Sequence, residues 1–133
     1  MPVSDLATLL SQMRPELHSG RYAFVTLPLG CSLDQNRIVA SIREPEGLSV
    51  IMAEEDAADL GLPVAFIAAW ITLTVHSDLA AVGLTAAFST ALGQAGISCN
   101  VVAGVHHDHL FVPAGQEQKA MQVLHALQQA ATS

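Results

Sequence analysis

The sequence predicts an α+β fold built around a split β-α-β unit, and residues 71–113 carry most of this prediction. An apolar strand (ITLTV), a polar turn, a helix (LTAAFSTALGQA) and two more strands (ISCNVV and HLFVP) follow one another in this stretch. A strand, a helix and two strands in succession make up most of a split β-α-β motif. We therefore expect one sheet with helices on one of its faces.

The predicted strands show a period-two alternation of polarity. In the long strand near 65–75 one parity is entirely apolar, whereas the other includes Thr72 and Thr74. This alternation is typical of a strand with one buried face. The other face of the sheet is mixed and carries Trp70 and Phe111, so we expect a partner surface to cover it. The apolar parity consists of Ile67, Ala69, Ile71, Leu73 and Val75.

A first helix is predicted near 4–13 from a cap and from helical spacing. Ser4 can accept hydrogen bonds from the free N–H groups at the start of the helix. Apolar residues then follow at spacing i, i+3, i+4 and i+7. Pro15 disfavours helix for the residue before it and ends the run. The apolar residues are Leu6, Leu9, Leu10 and Met13.

The rest of the first half is predicted as a strand, a hairpin and a short helix. The strand lies near 21–28, between a glycine and a proline. Strands near 37–43 and 48–53 flank the turn EPEG, which is typical of a hairpin. The helix near 54–60 begins with acidic residues, which the helix dipole favours.

In the second half, a helix near 84–95 has an apolar stripe at helical spacing. Gly83 favours a start at Leu84 rather than at Ser77, because a glycine inside a helix costs about 1 kcal/mol relative to alanine. The remaining elements are strands near 65–75, 97–103 and 108–112 and a last helix near 116–130.

A weak internal repeat indicates two related halves. The order strand, strand, helix at 37–60 recurs at 97–130, and the long strand lies between them. We therefore predict two α+β subdomains packed together, with the first over residues 1–63 and the second over residues 64–133. Fold alone does not identify a function, because this architecture hosts many.

The amino-acid composition limits the classes of function that we expect for this protein. Of the 133 residues, 51% are hydrophobic and 13% charged, which is enough for a core. The net charge of −7 and the five scattered basic residues argue against nucleic acid as a partner. No uninterrupted apolar run predicts a membrane span, and the N-terminus lacks the basic region of a signal peptide. Cys31 and Cys99 lie far apart in the sequence, so we expect a reduced, cytoplasmic protein.

A resemblance to a known family is carried by four segments, namely VGLTAAFSTAL, AGISCNVVAG, HDHLFVP and, in the first half, REPEGLSVIM. They resemble small bacterial ACT-domain-like proteins, and the likeness covers nearly the whole chain. It implies a ferredoxin-like βαββαβ fold in two tandem ACT-like subdomains, similar to aspartokinase regulatory regions and arginine-sensing proteins. It also implies a non-catalytic regulatory module without a cofactor that binds an amino acid, forms a homodimer and has a regulated protein partner. The usual loop has Pro-Gly before its helix, whereas this chain has Val82-Gly83.

A site for an amino acid or a similar small carboxylate is predicted at the start of the helix near 84–95. The first N–H groups of a helix have no internal partner and bind carboxylates, and Gly83 lets a ligand approach the backbone. Asn100 offers a donor and an acceptor, and Asp108 can pair with an amine. The alternative is that Gly83 only permits a turn and Asn100 is a surface residue. The predicted ligand-binding residues are His76, Ser77, Asp78, Val82, Gly83, Leu84, Asn100 and Asp108.

Two other functions remain open, a protein interaction module without a ligand and a metal-dependent enzyme that uses the run 106–109. Histidine and aspartate suit zinc, but neighbouring residues on a strand face opposite sides, so at most two of them converge. A polar hairpin turn is the simpler reading of this run. Cys99 alternates with inward residues, so we expect a buried side chain rather than a nucleophile. We predict no catalytic residue and no metal site, and we expect His18 and His125 to be solvated.

Overall fold

The computed structural model describes residues 5–76 and 78–132, so the predicted cap Ser4 and the predicted site residue Ser77 lie outside the described residues. Within this part of the chain, seven strands form one sheet and four α-helices pack on it. The elements are α1 (Leu6–Gln12), β1 (Pro15–Leu17), β2 (Tyr22–Leu27), β3 (Ala40–Glu44), β4 (Gly47–Ala53), α2 (Glu54–Asp59), β5 (Val64–Leu73), α3 (Leu84–Gln94), β6 (Asn100–Ala103), β7 (Asp108–Pro113) and α4 (Glu117–Thr132), with a 3-10 turn at Gln35–Arg37.

The long strand β5 belongs to both halves of the fold. In the described residues the strand order is β3-β4-β2-β5-β7-β6, and every pairing is antiparallel. The first part of β5 pairs with β2, and its last residues pair with β7 on one side and with β1 on the other. Each half thus has four strands in matching order, which confirms the predicted tandem ferredoxin-like α+β fold.

The N-terminal segment completes the second half rather than the first. Pro15 and Leu17 of β1 pair with Leu73 and Ile71 at the end of β5. Helix α1 packs against α3 and α4, and its residue Leu9 is fully buried in their common core. A division at residue 63 follows the repeat in the sequence, whereas in space α1 and β1 lie with the later residues.

The helices cover one face of the sheet, as the alternation predicts. Ala69, Ile71 and Leu73 of β5 are buried against α1, α3 and α4, together with Phe88 of α3. Helix α2 covers the same face of the first half, where Ala57 packs on β2 and β4. The predicted apolar parity of β5 is confirmed.

The second face of the sheet is covered in part by the chain itself. Phe111 of β7 is fully buried there, with its ring centroid 5.6 Å from that of Phe24 and 6.1 Å from that of Trp70. The edge strands approach each other over this face, because Ala40 of β3 and Val102 of β6 pack on the same cluster. The expectation that a partner surface covers Phe111 is therefore wrong.

The predicted elements agree with the structure within three residues at each boundary, and the differences concern one additional strand and the late starts of β3 and β6. Strand β1 was not predicted, because Pro15 ended the helix pattern and three residues show no periodicity. The predicted strand near 37–43 begins only at Ala40, since Arg37 ends a 3-10 turn in which the Asp34 carboxylate accepts a hydrogen bond from the Asn36 N–H at 3.0 Å. Among the described residues, no helix combines the length and apolar character needed to cross a membrane.

Candidate functional site

Helix α3 begins at a glycine that leaves its N-terminus open. Gly83 has a φ of +105°, which side-chain-bearing residues rarely adopt, and it has no side chain to cap the helix. The first helical hydrogen bond runs from the N–H of Ala87 to the carbonyl of Gly83 at 2.9 Å. The N–H groups at 84–86 therefore have no partner within the helix and face outward from its start.

The loop before α3 is shaped by an aspartate turn. The Asp78 carboxylate accepts a hydrogen bond from the Ala80 N–H at 2.9 Å, and the Asp78 carbonyl accepts one from the Ala81 N–H at 2.9 Å. Short side-chain-to-backbone bonds of this kind set the course of a turn. The loop consequently folds back towards the start of α3.

Asp108 contributes a buried carboxylate to the same end of the sheet. It stands at the start of β7, between Ala103 of β6 and Leu73 of β5, on the face that the helices cover. Its residue is only 8% exposed, but among the described residues no side-chain oxygen is fully buried without a hydrogen-bond partner, so the Asp108 carboxylate keeps contact with solvent through the cleft that it lines. Burial raises the pKa of this carboxyl group, and the nearby His109 and His107 lower it. Partial burial disfavours the charged form of this carboxyl group, and a cationic group beside it would stabilise that form.

A cleft of about 120 Å³ joins these features. The open start of α3 and the Asp108 carboxylate both line it, so hydrogen-bond donors and a negative charge border the same space. Four of the eight predicted site residues come together here, namely Asp78, Gly83, Leu84 and Asp108. The complete lining is Asp78, Leu79, Ala81, Gly83, Leu84, Thr85, Ala103 and Asp108.

Three other predicted site residues do not line the cleft. Asn100 pairs with Phe111, so it faces the side of the sheet opposite to α3, and its predicted contact with a ligand at Gly83 is not supported by the geometry. Val82 is 83% exposed and points to solvent. His76 lies beside His106, with 5.2 Å between the ring centroids.

Sequence reasoning missed Leu79, Ala81, Thr85 and Ala103. Leu79 and Ala81 belong to the turn that Asp78 forms, and Thr85 follows the predicted helix start directly. Each of these three residues is adjacent in the sequence to a predicted site residue, so sequence proximity could have identified them. Ala103 is found only from the strand register, because it lies opposite Asp108 across the hairpin of β6 and β7.

The run 106–109 forms a hairpin turn whose side chains diverge. The N–H of Gly104 donates to the carbonyl of His107 at 2.9 Å and closes the turn. Asp108 faces the helices, whereas His109 faces the other side of the sheet, as the alternation predicts. In the part of the chain that the structure describes, no group of three or more His, Cys, Asp or Glu residues is placed to hold a metal ion.

Both cysteines are free thiols, with Cys31 exposed and Cys99 half-buried. Burial raises the pKa of the Cys99 thiol to about 11. With this pKa the Cys99 thiol stays protonated at neutral pH. Since only the thiolate is nucleophilic, a protonated Cys99 is unreactive. Its environment agrees with the sequence interpretation of a buried small side chain.

The tandem α+β fold with a cleft at a helix N-terminus defines a class of small-molecule-binding domain, and comparison with known proteins gives the family. Residues 2–69 match one ACT domain model and residues 66–126 match another. The chain therefore belongs to the ACT-domain family and consists of two ACT domains in tandem. ACT domains are regulatory, ligand-binding modules. No curated protein matches the chain.

Several solved structures share this fold. A Vibrio cholerae protein of unknown function, described as a possible transport protein, is 45% identical, with a TM-score of 0.82 over 92% of this chain and 95% of that one. Escherichia coli aspartokinase III is 12% identical, with a TM-score of 0.60 over 85% of this chain and 32% of that one. The regulatory subunit of aspartate kinase from Thermus thermophilus is 10% identical, with a TM-score of 0.58 over 86% of this chain and 97% of that one. The two kinase structures show similarity of fold alone.

Proposed function

We propose that this protein is a non-catalytic regulatory module that binds a small amino acid in the cleft at the start of α3. The observation that carries the proposal is the pairing of an open helix N-terminus with the largely buried Asp108 carboxylate in one cleft. The aspartate kinase of Clostridium acetobutylicum, which shares the fold, is described as an allosteric enzyme for the production of amino acids and supports the proposal by analogy. The two free cysteines fit a reducing cytoplasm as its location.

The carboxylate and the ammonium group of an α-amino acid are complementary to the hydrogen-bond donors and the negative charge that line the cleft. The backbone N–H groups at 83–85 would hold the carboxylate, aided by the helix dipole. The Asp108 carboxylate would pair with the ammonium group. A volume of about 120 Å³ is well below the 300–1,000 Å³ typical of drug-sized ligands, which favours a small amino acid.

Calorimetry against the twenty amino acids tests this proposal, together with Asp108→Asn. We expect at least one small amino acid to bind below millimolar concentration. The variant should bind it at least about tenfold more weakly, since a charged hydrogen bond is worth about 1.5–3 kcal/mol. Asp59→Asn, an exposed aspartate at the end of α2, is the matched control and should bind like the wild type. Absence of binding, or unchanged binding by Asp108→Asn, would contradict the site.

The stability of Asp108→Asn separates a binding role from a structural one. The pKa of this carboxyl group is raised in the folded protein, so its ionisation above that pKa opposes folding. A neutral amide removes this penalty, and we expect the unliganded variant to be at least as stable as the wild type at pH 7. Weaker binding together with a lower melting temperature would instead indicate that Asp108 supports the fold.

We also propose that two copies assemble through the loops that frame the cleft. Leu79, Val82 and Val105 are 65%, 83% and 67% exposed on these loops. Exposed apolar side chains grouped in this way are typical of an interface. Sedimentation velocity at micromolar concentration should show a dimer that Val82→Asp weakens. Leu29→Asp, at a 73% exposed position in the loop after β2, should leave the dimer intact. Equal behaviour of the two variants would contradict this interface.

The alternative function is a protein interaction module without a ligand. It is favoured by an open groove of about 570 Å³ between the edge strands β3 and β6. Both strands have unpaired backbone groups along this groove, which an extended peptide can use. This function becomes the stronger candidate if no amino acid binds in the calorimetry.

A further inference from the structure

A second cluster of polar side chains lies on the face of the sheet opposite to the cleft. The ring of His18 stacks on Trp70 with 3.6 Å between centroids, so the expectation that His18 is solvated is wrong. Thr72 Oγ1 lies 2.7 Å from His18 Nε2 and 3.0 Å from His109 Nδ1. The indole N–H of Trp70 donates to the same His109 Nδ1 at 3.1 Å. His18 itself stays partly exposed, so only one side of its ring is removed from solvent. These four residues, called here the histidine relay, join β5, β7 and the segment after β1.

Hydrogen-bond chemistry fixes the protonation state of the relay. An indole N–H can only donate, so Nδ1 of His109 must carry a lone pair. His109 is therefore neutral, with its proton on Nε2. Nδ1 of His109 has a single lone pair, so the Thr72 hydroxyl either shares it with the indole N–H or donates to Nε2 of His18 instead. The contact between Thr72 and His18 is a hydrogen bond in both arrangements. Protonation of His109 would place a second N–H against the indole N–H and remove its acceptor.

The surroundings of the relay also favour neutral His109. Thr72 is 7% exposed, and Ala40 of β3 and Val102 of β6 add apolar walls. Burial lowers the pKa of His109, His107 and His18 lower it further, and Asp108 raises it. Burial likewise lowers the pKa of His18, and Glu16 on β1 raises it. Tyr22 also contacts Trp70, and the two charged residues of β3, Arg43 and Glu44, are exposed at the end of that strand away from Ala40.

We propose that His109 is a proton-sensing residue, and that its protonation opens the histidine relay and loosens the N-terminal segment from β5. In the neutral state the relay connects the His18 side chain to the sheet. The backbone N–H of His18 also donates a hydrogen bond to the backbone carbonyl of Trp70 at 2.9 Å. Protonated His109 loses the Trp70 hydrogen bond, and the imidazole turns towards solvent. This role is independent of the cleft, which lies on the opposite face.

The sign of the effect follows from linkage. Unfolded histidine binds a proton near pH 6.5, whereas His109 in the folded protein binds one only at lower pH. The stabilising contribution of the relay is thus complete above about pH 6.5. It is lost as the pH falls from there through the pKa of folded His109.

Trp70 is the only tryptophan in the sequence, so the tryptophan fluorescence of the protein reports whether the histidine relay is intact. We expect a sigmoidal change in emission with a midpoint below about pH 6.5. His109→Gln should remove the transition, since its amide oxygen can accept the indole hydrogen bond but does not titrate. His125→Gln, at an exposed position on α4, is the matched control and should keep the midpoint.

Two results of the fluorescence titration would contradict the proposal. A transition that persists in His109→Gln overturns the proposal, and so does one that Asp108→Asn abolishes. If His109→Gln fails to fold, nitrogen NMR of wild-type imidazoles decides the question. Nδ1 of His109 should be unprotonated at pH 8 and gain a proton over the range of the fluorescence change. A protonated Nδ1 at pH 8 overturns the proposal.

Discussion

Phe111→Asp should cost at least about 4 kcal/mol of folding free energy, the largest loss that we expect from a single substitution. The Phe111 side chain is fully buried, and its removal alone typically costs 3–5 kcal/mol. The new carboxylate would lie among Phe24, Trp70 and Ala68, where it finds neither water nor a cation. Since domains of this size are typically stable by about 5–15 kcal/mol, this loss would remove from about a quarter to most of the folding free energy.

Chemical denaturation followed by circular dichroism measures this loss. Ile42→Asp is the matched control, because Ile42 is 65% exposed on β3 and its replacement should change stability by no more than about 0.5 kcal/mol. A Phe111→Asp protein that melts like the wild type but sediments as a smaller species would contradict the buried position. It would instead support the interpretation of this face as a subunit interface.

Gly83→Val should destabilise the protein by about 2–3 kcal/mol and weaken any ligand at the start of α3. A branched residue at a φ of +105° is strained by about 1–3 kcal/mol. A Cβ at this position would also lie 3.1 Å from Cδ2 of Leu6, so the α1 side chain would have to move. The loss is below the total stability of a typical domain, so the variant should remain folded.

Gly93→Ala is the matched control in the same helix. Gly93 lies inside α3, where a Cβ would meet no atom within 4 Å. Gly93 is in the last turn of α3, so alanine should stabilise the helix by up to about 1 kcal/mol, the value for a helix interior. Thermal unfolding of the two variants should shift in opposite directions. A shift of Gly83→Val similar to that of Gly93→Ala would show that the glycine conformation is not required.

The elements that the sequence predicts well are those with local periodicity. The alternation of β5 and the apolar stripe of α3 depend only on which face is buried, and both agree with the structure. The open start of α3 was equally accessible, because Gly83 and the residues after it specify a helix terminus without a side-chain cap. Asp108 was placed in the site from its residue type, and the structure adds its burial.

The features that the sequence did not predict depend on contacts between distant strands. The parity of Asn100 already placed it on the mixed face, but only the register with Phe111 shows that this face is opposite to α3. The burial of Phe111 depends on the approach of two edge strands that are far apart in the sequence. His18 has no local pattern, and its stacking on Trp70 requires the unpredicted strand β1.

The position of β1 also has a consequence for the order in which the chain can fold as it is synthesised. Domains generally fold from the N-terminus as they leave the ribosome. Here Pro15 cannot pair before Leu73 has been synthesised, and Leu9 cannot reach its buried position before α4, which follows about a hundred residues later in the sequence. The segment that contains α1 and β1 is therefore synthesised well before its packing partners, and the second ACT domain is complete only when both this segment and α4 are present.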